Sequence, residues 1–333
     1  MDLKSYSVKW IEFLGLFFIL FVLERVYFRL ASGFGIMDIP NERSSHHRQT
    51  IRGGGIIIPF ALFFSVVFPG DQYSFFLLGL VLISLVSFMD DLKGLPSWLR
   101  LIGYACSMGL LFYQIVGAAY LEVEYLLLFI VALGIVNTYN FMDGINGITV
   151  AYSLSVLAAM LYIDIFMINI LPEGLLISFL LALIVFGFFN FRKNAVCFAG
   201  DIGSVSAGFI IVYMLGSLVY LTGNFIWILL LAVYGVDSVL TIVHRLIRKE
   251  NIFKAHRSHL YQYMVNSLKM GHLKVALLYA LVQGVISMVV IMNRNIPYLP
   301  DWLLASMILA FLGITYISLK FYIIRIYKSI PGS

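Results

Sequence analysis

The chain reads as an all-α, polytopic integral membrane protein with about eleven transmembrane helices. Three observations predict this class. Of its 333 residues 62% are hydrophobic and only 12% charged, the mean hydropathy is +0.97, and the apolar residues gather in long runs. Such a composition excludes a soluble domain, a disordered chain, a coiled coil and a disulfide scaffold. The two cysteines, Cys106 and Cys197, fall in an apolar run and in a short polar loop, so neither is expected to staple the fold.

The apolar runs are 10–30, 53–69, 74–89, 99–117, 125–141, 147–168, 174–190, 203–222, 224–243, 275–293 and 302–322. The first follows Lys4 and Lys9 as a secretory signal would, yet it carries Glu12 and runs into Glu24, Arg25 and Arg29 without a cleavage site, so it counts as a span. Eleven crossings put the termini on opposite faces. All 22 lysines and arginines except Lys4, Lys9 and Arg294 then fall on one face, and the positive-inside rule makes that face cytoplasmic, with the N-terminus periplasmic and the C-terminus cytoplasmic. The net charge of +5 is explained by orientation and attraction to anionic lipid heads, with no nucleic acid implied. The chain is expected to be one transmembrane catalytic domain, 1–333. Its cytoplasmic loops, 31–52, 90–98, 137–147, 190–202 and 244–274, hold all six histidines, so any chemistry belongs on that face.

Four constellations stand out there. Asp90 and Asp91 close the apolar run that ends at Met89, and Lys93, Gly94 and Pro96 break the helix behind them. They read either as a solvated helix end with an anchor lysine, or as a pair that binds a hard cation or removes a proton. In NTYNFMDGING (137–147), Asn137, Asn140, Asp143 and Asn146 recur every third residue, which on a tight helix makes one polar stripe. The stripe either faces a site or serves hydrogen bonding between helices.

In NFRKNAVCFAGDIGSVSAG (190–208), Asp201 lies among small residues at the start of a span. It is either a helix cap or a carboxylate with room for a metal carrying phosphate oxygens, and Phe198 offers a flat face for a base. The basic stretch HRLIRKENIFKAHRSHLYQ (244–262) carries His256, Arg257 and His259, donors that suit an oxyanion, and Arg48 and Arg52 precede Gly53–Gly55, whose free N–H groups could take a phosphate. The candidate phosphate-binding set is therefore Arg48, Arg52, Lys93, His256, Arg257 and His259. Two histidines also admit zinc, but no cysteine or third histidine has matching spacing. Carboxylates for Mg2+, cations for phosphates, and amides with an aromatic ring for a base together match a nucleoside diphosphate, and the apolar surround admits a lipid as second substrate.

These motifs, in order DIPNERSSH (38–46), RGGG (52–55), DDLKG (90–94), NxxNFMDGING (137–147), FAGDIGS (198–204) and AHRSHLYQ (255–262), resemble the polyprenyl-phosphate N-acetylhexosamine-1-phosphate transferases over nearly the whole chain. The branch it looks most like initiates O-antigen or related lipopolysaccharide in the bacterial cytoplasmic membrane. The resemblance implies transfer of a sugar 1-phosphate from a UDP-sugar to undecaprenyl phosphate with release of UMP, and Mg2+ as cofactor, with Mn2+ as a substitute. Undecaprenyl phosphate, the UDP-sugar and membrane lipid are the implied partners, and a homodimer is compatible with it.

By resemblance, Asp201 stands where relatives hold the metal, and Asp90 and Asp91 match the acidic pair beside the metal and the lipid phosphate. Phe198 matches the ring that stacks on uracil; Asn140, Asp143 and Asn190 match residues lining the nucleotide pocket. Asn146 replaces a second aspartate found in many relatives and is expected to bind base or ribose. The Arg257 and Ser258 pair interrupts a loop that is histidine-rich in relatives. A transporter or lipid flippase is the rival class; it would place polar groups at the bilayer midplane and show a repeat, neither of which appears in the sequence.

Overall fold

The structure is a computed structural model, and it describes residues 3–39, 49–67, 73–118, 123–251 and 257–328. It is helical apart from one pair of two-residue strands, β1 (Met37–Asp38) and β2 (Thr50–Ile51), paired antiparallel with Met37 opposite Ile51. The helices are α1 (Leu3–Phe34), α2 (Ile57–Val67), α3 (Ser74–Lys93), α4 (Ser97–Val116), α5 (Val123–Met142), α6 (Ile148–Phe166), α7 (Glu173–Asn190), α8 (Gly200–Thr222), α9 (Ala232–Ile247), α10 (Leu260–Asn266), α11 (His272–Asn295) and α12 (Asp301–Lys328). Nine of the eleven apolar runs coincide with one of these helices; 53–69 begins in a 3-10 turn ahead of α2, 224–243 is divided between a 3-10 segment and α9, and α10 is an added short helix at the end of the basic stretch. Nine helical segments among the described residues are long and apolar enough to cross a membrane. The first run carries Glu12, Glu24, Arg25 and Arg29 on the long α1, and the second is the shorter α2.

The helix ends follow local chemistry. Pro96 and Pro172 precede α4 and α7, where a fixed φ and a missing N–H cost nothing. The helix α5 ends at Met142, so the expected polar stripe does not continue as a helix: Asp143 and Asn146 lie in the turn before α6. Gly147 takes φ +81° there with the Phe191 ring packed against it, a place no side chain can enter.

At the centre stands α8, apolar all round and almost wholly buried, as a helix without a polar face must be. Its small residues let neighbours close in. Gly203 meets Gly55, Ser206 shares a hydrogen bond with Ser84 of α3 at 2.9 Å, and Gly208 lies under Tyr139 of α5. Ahead of α9 the chain runs as a 3-10 segment, Phe225–Leu231, which upsets the helical ladder inside the apolar interior. Buried Gln283 of α11 repairs it: its Nε2 donates to the Leu229 carbonyl at 3.0 Å, and its Oε1 accepts from Val233 N at 3.1 Å and from the Tyr152 hydroxyl at 2.8 Å. The polar loops meet at one end of this bundle, where the C-terminal ends of α3, α5 and α7 adjoin the N-terminal ends of α4, α6 and α8.

Candidate active site

Three carboxylates and two guanidiniums meet where α3, α4, α8 and the segment after β2 converge. Asp90 and Asp91 are both 7% exposed. Arg100, in the first turn of α4, places Nη1 at 2.7 Å from Asp90 Oδ2 and at 3.6 Å from Asp201 Oδ2. Arg52 places Nε at 2.7 Å from Asp91 Oδ1 and Nη2 at 3.9 Å from Asp201 Oδ1. The Leu95 N–H adds a hydrogen bond to Asp90.

The three acids do different work. Asp91 caps α8 from outside: its Oδ1 accepts from Asp201 N and its Oδ2 from Ile202 N, both at 3.0 Å, supplying a negative charge at the positive end of the helix. Among the described residues Asp201 makes only the two long contacts to arginine, and its carboxylate, beside that of Asp90, is partly open. Among the described residues no three His, Cys, Asp or Glu groups are placed to enclose a metal. A small hard cation that keeps its waters needs one or two carboxylates, and the Asp90 and Asp201 pair offers that donor set.

The glycine-rich segment is spent on packing. Gly54 N donates to Phe198 O at 2.8 Å, Gly55 N to Ala199 O at 3.1 Å, and Phe198 N to Ile51 O at 2.8 Å, so RGGG is zipped to FAGD. Gly200 has φ +69°, and a Cβ there would stand 2.5 Å from Asp91 Oδ2 and 2.8 Å from Gly53 Cα. The expectation that this segment offers free N–H groups to a phosphate is therefore corrected for Gly54 and Gly55. Close approach of two backbones is what their missing side chains allow.

Beside this cluster lies the turn 143–147. Asp143 is half-buried and accepts from the Thr149 hydroxyl. Burial, with the Asp91 charge adding to it, pushes its carboxyl up to about 7, against the opposing pull of the Thr149 hydrogen bond. Asn146 is buried, and its Nδ2 donates to the carbonyls of Arg192 and Lys193 at 3.0 and 3.1 Å. Asn190 is buried too, accepting from Gly147 N at 2.8 Å and donating to Cys197 O at 2.9 Å. Both amides tie the turn 143–147 to the loop 190–199, because backbone carbonyls and N–H groups buried between two loops need side-chain partners. Asn140 and Phe198 are half-buried. Among the described residues the Asn140 amide makes no hydrogen bond, which leaves it open to a ligand.

His259 belongs to a buried polar network. It is 2% exposed, and its Nδ1 stands 3.1 Å from Asp237 Oδ1 in α9. Asp237 also accepts from Leu260 N at 3.1 Å and, through Oδ2, from the Tyr279 hydroxyl at 2.7 Å. Lys320 of α12 donates to the Ser258 carbonyl at 2.8 Å, and the Tyr261 hydroxyl reaches the Phe141 carbonyl at 3.0 Å, beside Asp143. The end of the loop after α9 that carries Ser258 and His259 is thus anchored by a buried polar network. Arg257 is half-buried, and Lys93 is exposed on the last turn of α3. Arg48 and His256 lie outside the described residues.

Two members of the site escaped the sequence reading. Arg100 sits in the first turn of a helix, where the dipole disfavours a cation, and that misfit is the signal for a carboxylate partner. Asp237 interrupts an apolar run, and an acid there requires partners of its own.

Comparison with curated proteins finds no match. Residues 73–219, which run from the residue before α3 almost to the end of α8 and carry Asp90, Asp91, Asn140, Asp143 and Asp201, match the model of glycosyl transferase family 4, a family of polyprenyl-phosphate sugar-1-phosphate transferases.

Proposed function

We propose that the protein transfers a sugar 1-phosphate, of the N-acetylhexosamine type, from a UDP-sugar to undecaprenyl phosphate, yielding undecaprenyl-diphospho-sugar and UMP. We place it in the bacterial cytoplasmic membrane with the site on the cytoplasmic face, at the start of O-antigen or a related envelope glycan. The observation that carries the reading is the clustering of Asp90, Asp91 and Asp201 with Arg52 and Arg100 at one end of the bundle, inside the segment matched to the family.

Both reactants are anionic, so charge neutralisation dominates the chemistry. An oxygen of the lipid phosphate attacks the phosphorus that bears the sugar; a new phosphoanhydride bond forms as the bond to UMP breaks. Asp201, with Asp90 beside it, would hold Mg2+, for which Mn2+ can substitute; the ion supplies positive charge to the diphosphate when bound. Arg52 and Arg100, each about a third exposed, bridge these carboxylates, Arg52 between Asp91 and Asp201 and Arg100 between Asp90 and Asp201. Asp91 holds the α8 end in place. Asn140, Asp143 and Phe198 border the nucleotide, with Asp143 able to hold or release a proton near neutral pH.

Purified protein given undecaprenyl phosphate, Mg2+ and a panel of UDP-sugars tests this directly. Release of UMP with one sugar is expected; release of none, from folded protein with every donor, refutes it.

A further inference from the structure

A cavity of about 780 Å³ opens between the end of α1 and the end of α7, and Arg25, Arg29 and Arg192 line it together with Phe28 and Phe188. Among the described residues no acidic side chain lines it. Among the described residues none of these three guanidiniums makes an ion pair, and Arg25 and Arg29 are exposed. Glu24, next in the chain, points the other way, buried against Cys197. The Arg192 guanidinium is held in place over the Phe188 ring at 4.4 Å and donates to the Phe188 carbonyl.

Phe188 and Arg192 also form one end of a second, larger cavity of about 960 Å³, a groove between α6, α7 and α11. Its other walls are apolar but for Ser155, and Leu281, Val285 and Met288 on its α11 side are each more than 60% exposed. The molecule therefore presents a long apolar groove that ends at a pocket of three unpaired cations. That is the shape and charge of one amphiphile: a chain in the groove and a phosphate among the arginines.

We infer that this groove and its arginine pocket form a binding site for one anionic phospholipid. The inference stands apart from the proposed transfer reaction, because Asp90, Asp91 and Asp201 line neither cavity, so a phosphate seated here is not at the reacting centre. It does touch the loop that leads there. The Arg192 carbonyl accepts from Asn146, so a lipid that holds Arg192 steadies the loop 190–199 on the turn 143–147.

Delipidated full-length protein in detergent, titrated with dioleoyl phosphatidylglycerol and followed by native mass spectrometry, tests the site. One tightly held lipid is expected, not displaced by equal dioleoyl phosphatidylcholine. The double variant Arg25→Gln with Arg29→Gln changes only exposed, unpaired groups; it should elute unchanged on gel filtration and bind at least about tenfold more weakly. Val285→Trp fills the groove without altering charge and should lower retention as well. Equal retention by the double variant, or equal uptake of phosphatidylcholine, overturns the proposal. So does displacement by undecaprenyl phosphate at equal concentration, which would give the groove to the acceptor. Loss of a dimer rather than of lipid in Val285→Trp would make it an interface between copies and overturn it too.

Discussion

Asp91 and Asp201 are joined through the backbone rather than through their side chains: the Asp201 N–H donates to Asp91 Oδ1 at 3.0 Å, while the Asp201 carboxylate turns away toward Arg52 and Arg100. One acid positions, and the other is left for ligand. Conventional mutagenesis of all three acids would conflate these roles unless stability is measured beside turnover.

Asp91→Ala removes the cap of α8 and leaves Arg52 without its nearest anion. A loss of about 3 kcal/mol in stability is expected, on the scale of breaking a buried pair. Thermal unfolding in detergent measures it, and an unchanged melting temperature would contradict the capping role.

Asp201→Asn keeps volume and the backbone bond to Asp91. Stability should stay near that of the parent while turnover falls by roughly a hundredfold or more, as for the loss of one strong transition-state contact. Near-normal UMP release from this folded variant would remove Asp201 from the chemistry.

Asn146→Ala deletes both hydrogen bonds to the carbonyls of Arg192 and Lys193 and leaves those acceptors buried. A cost of about 1–3 kcal/mol is expected. Because the loop that carries Phe198 is loosened, kcat and KM should both suffer. A change confined to KM for the UDP-sugar, with stability intact, would restore Asn146 to the nucleotide pocket.

Asp143 sets a pH dependence. Its carboxyl titrates near 7 when folded and near 3.8 when unfolded, so between these values the folded state holds the extra proton. Stability from this group is therefore full below about 4 and declines as pH rises through 7. The melting temperature should drop by a few °C from pH 5 to pH 8, and Asp143→Asn should flatten that drop while losing most activity. A slope unaltered by the substitution would show that Asp143 is already ionised at low pH.

Asp237 and His259 act as one unit, so their losses should not add. Asp237→Ala and His259→Ala are each expected to cost about 2 kcal/mol, and the double variant little more than either. Additive losses in a double-mutant cycle would mean that the loop is anchored by other contacts.

The sequence conveyed most of the helices because a bilayer sets their length; the short α2 and the 3-10 break ahead of α9 were not legible in hydropathy. It also singled out acids that the fold brings together: Asp90, Asp91 and Asp201 do converge. What it did not convey is direction. An asparagine amide reads alike whether its hydrogens face a nucleotide or a carbonyl, and only the fold shows that Asn146 and Asn190 face inward to the loops. Gly54 and Gly55 read as phosphate-binding backbone because the partner strand of carbonyls, Phe198 and Ala199, lies far along the chain. Arg100 and Asp237 were missed for the same reason, since each is explained by a partner outside its own helix.

The distance along the chain between Asp91 and its cap has a consequence for biosynthesis. The N–H groups that Asp91 accepts from come 110 residues later, in α8. A ribosome delivering helices to the membrane in order therefore inserts α3 with Arg52 already made but without the N–H groups that Asp91 caps, and the glycine segment after β2 waits longer still for its backbone mates. The docking of α8 into the centre of the bundle is then the event that completes the site, and a nascent chain halted before Gly200 should carry every earlier helix yet remain open to proteolysis at Arg52 and Lys93.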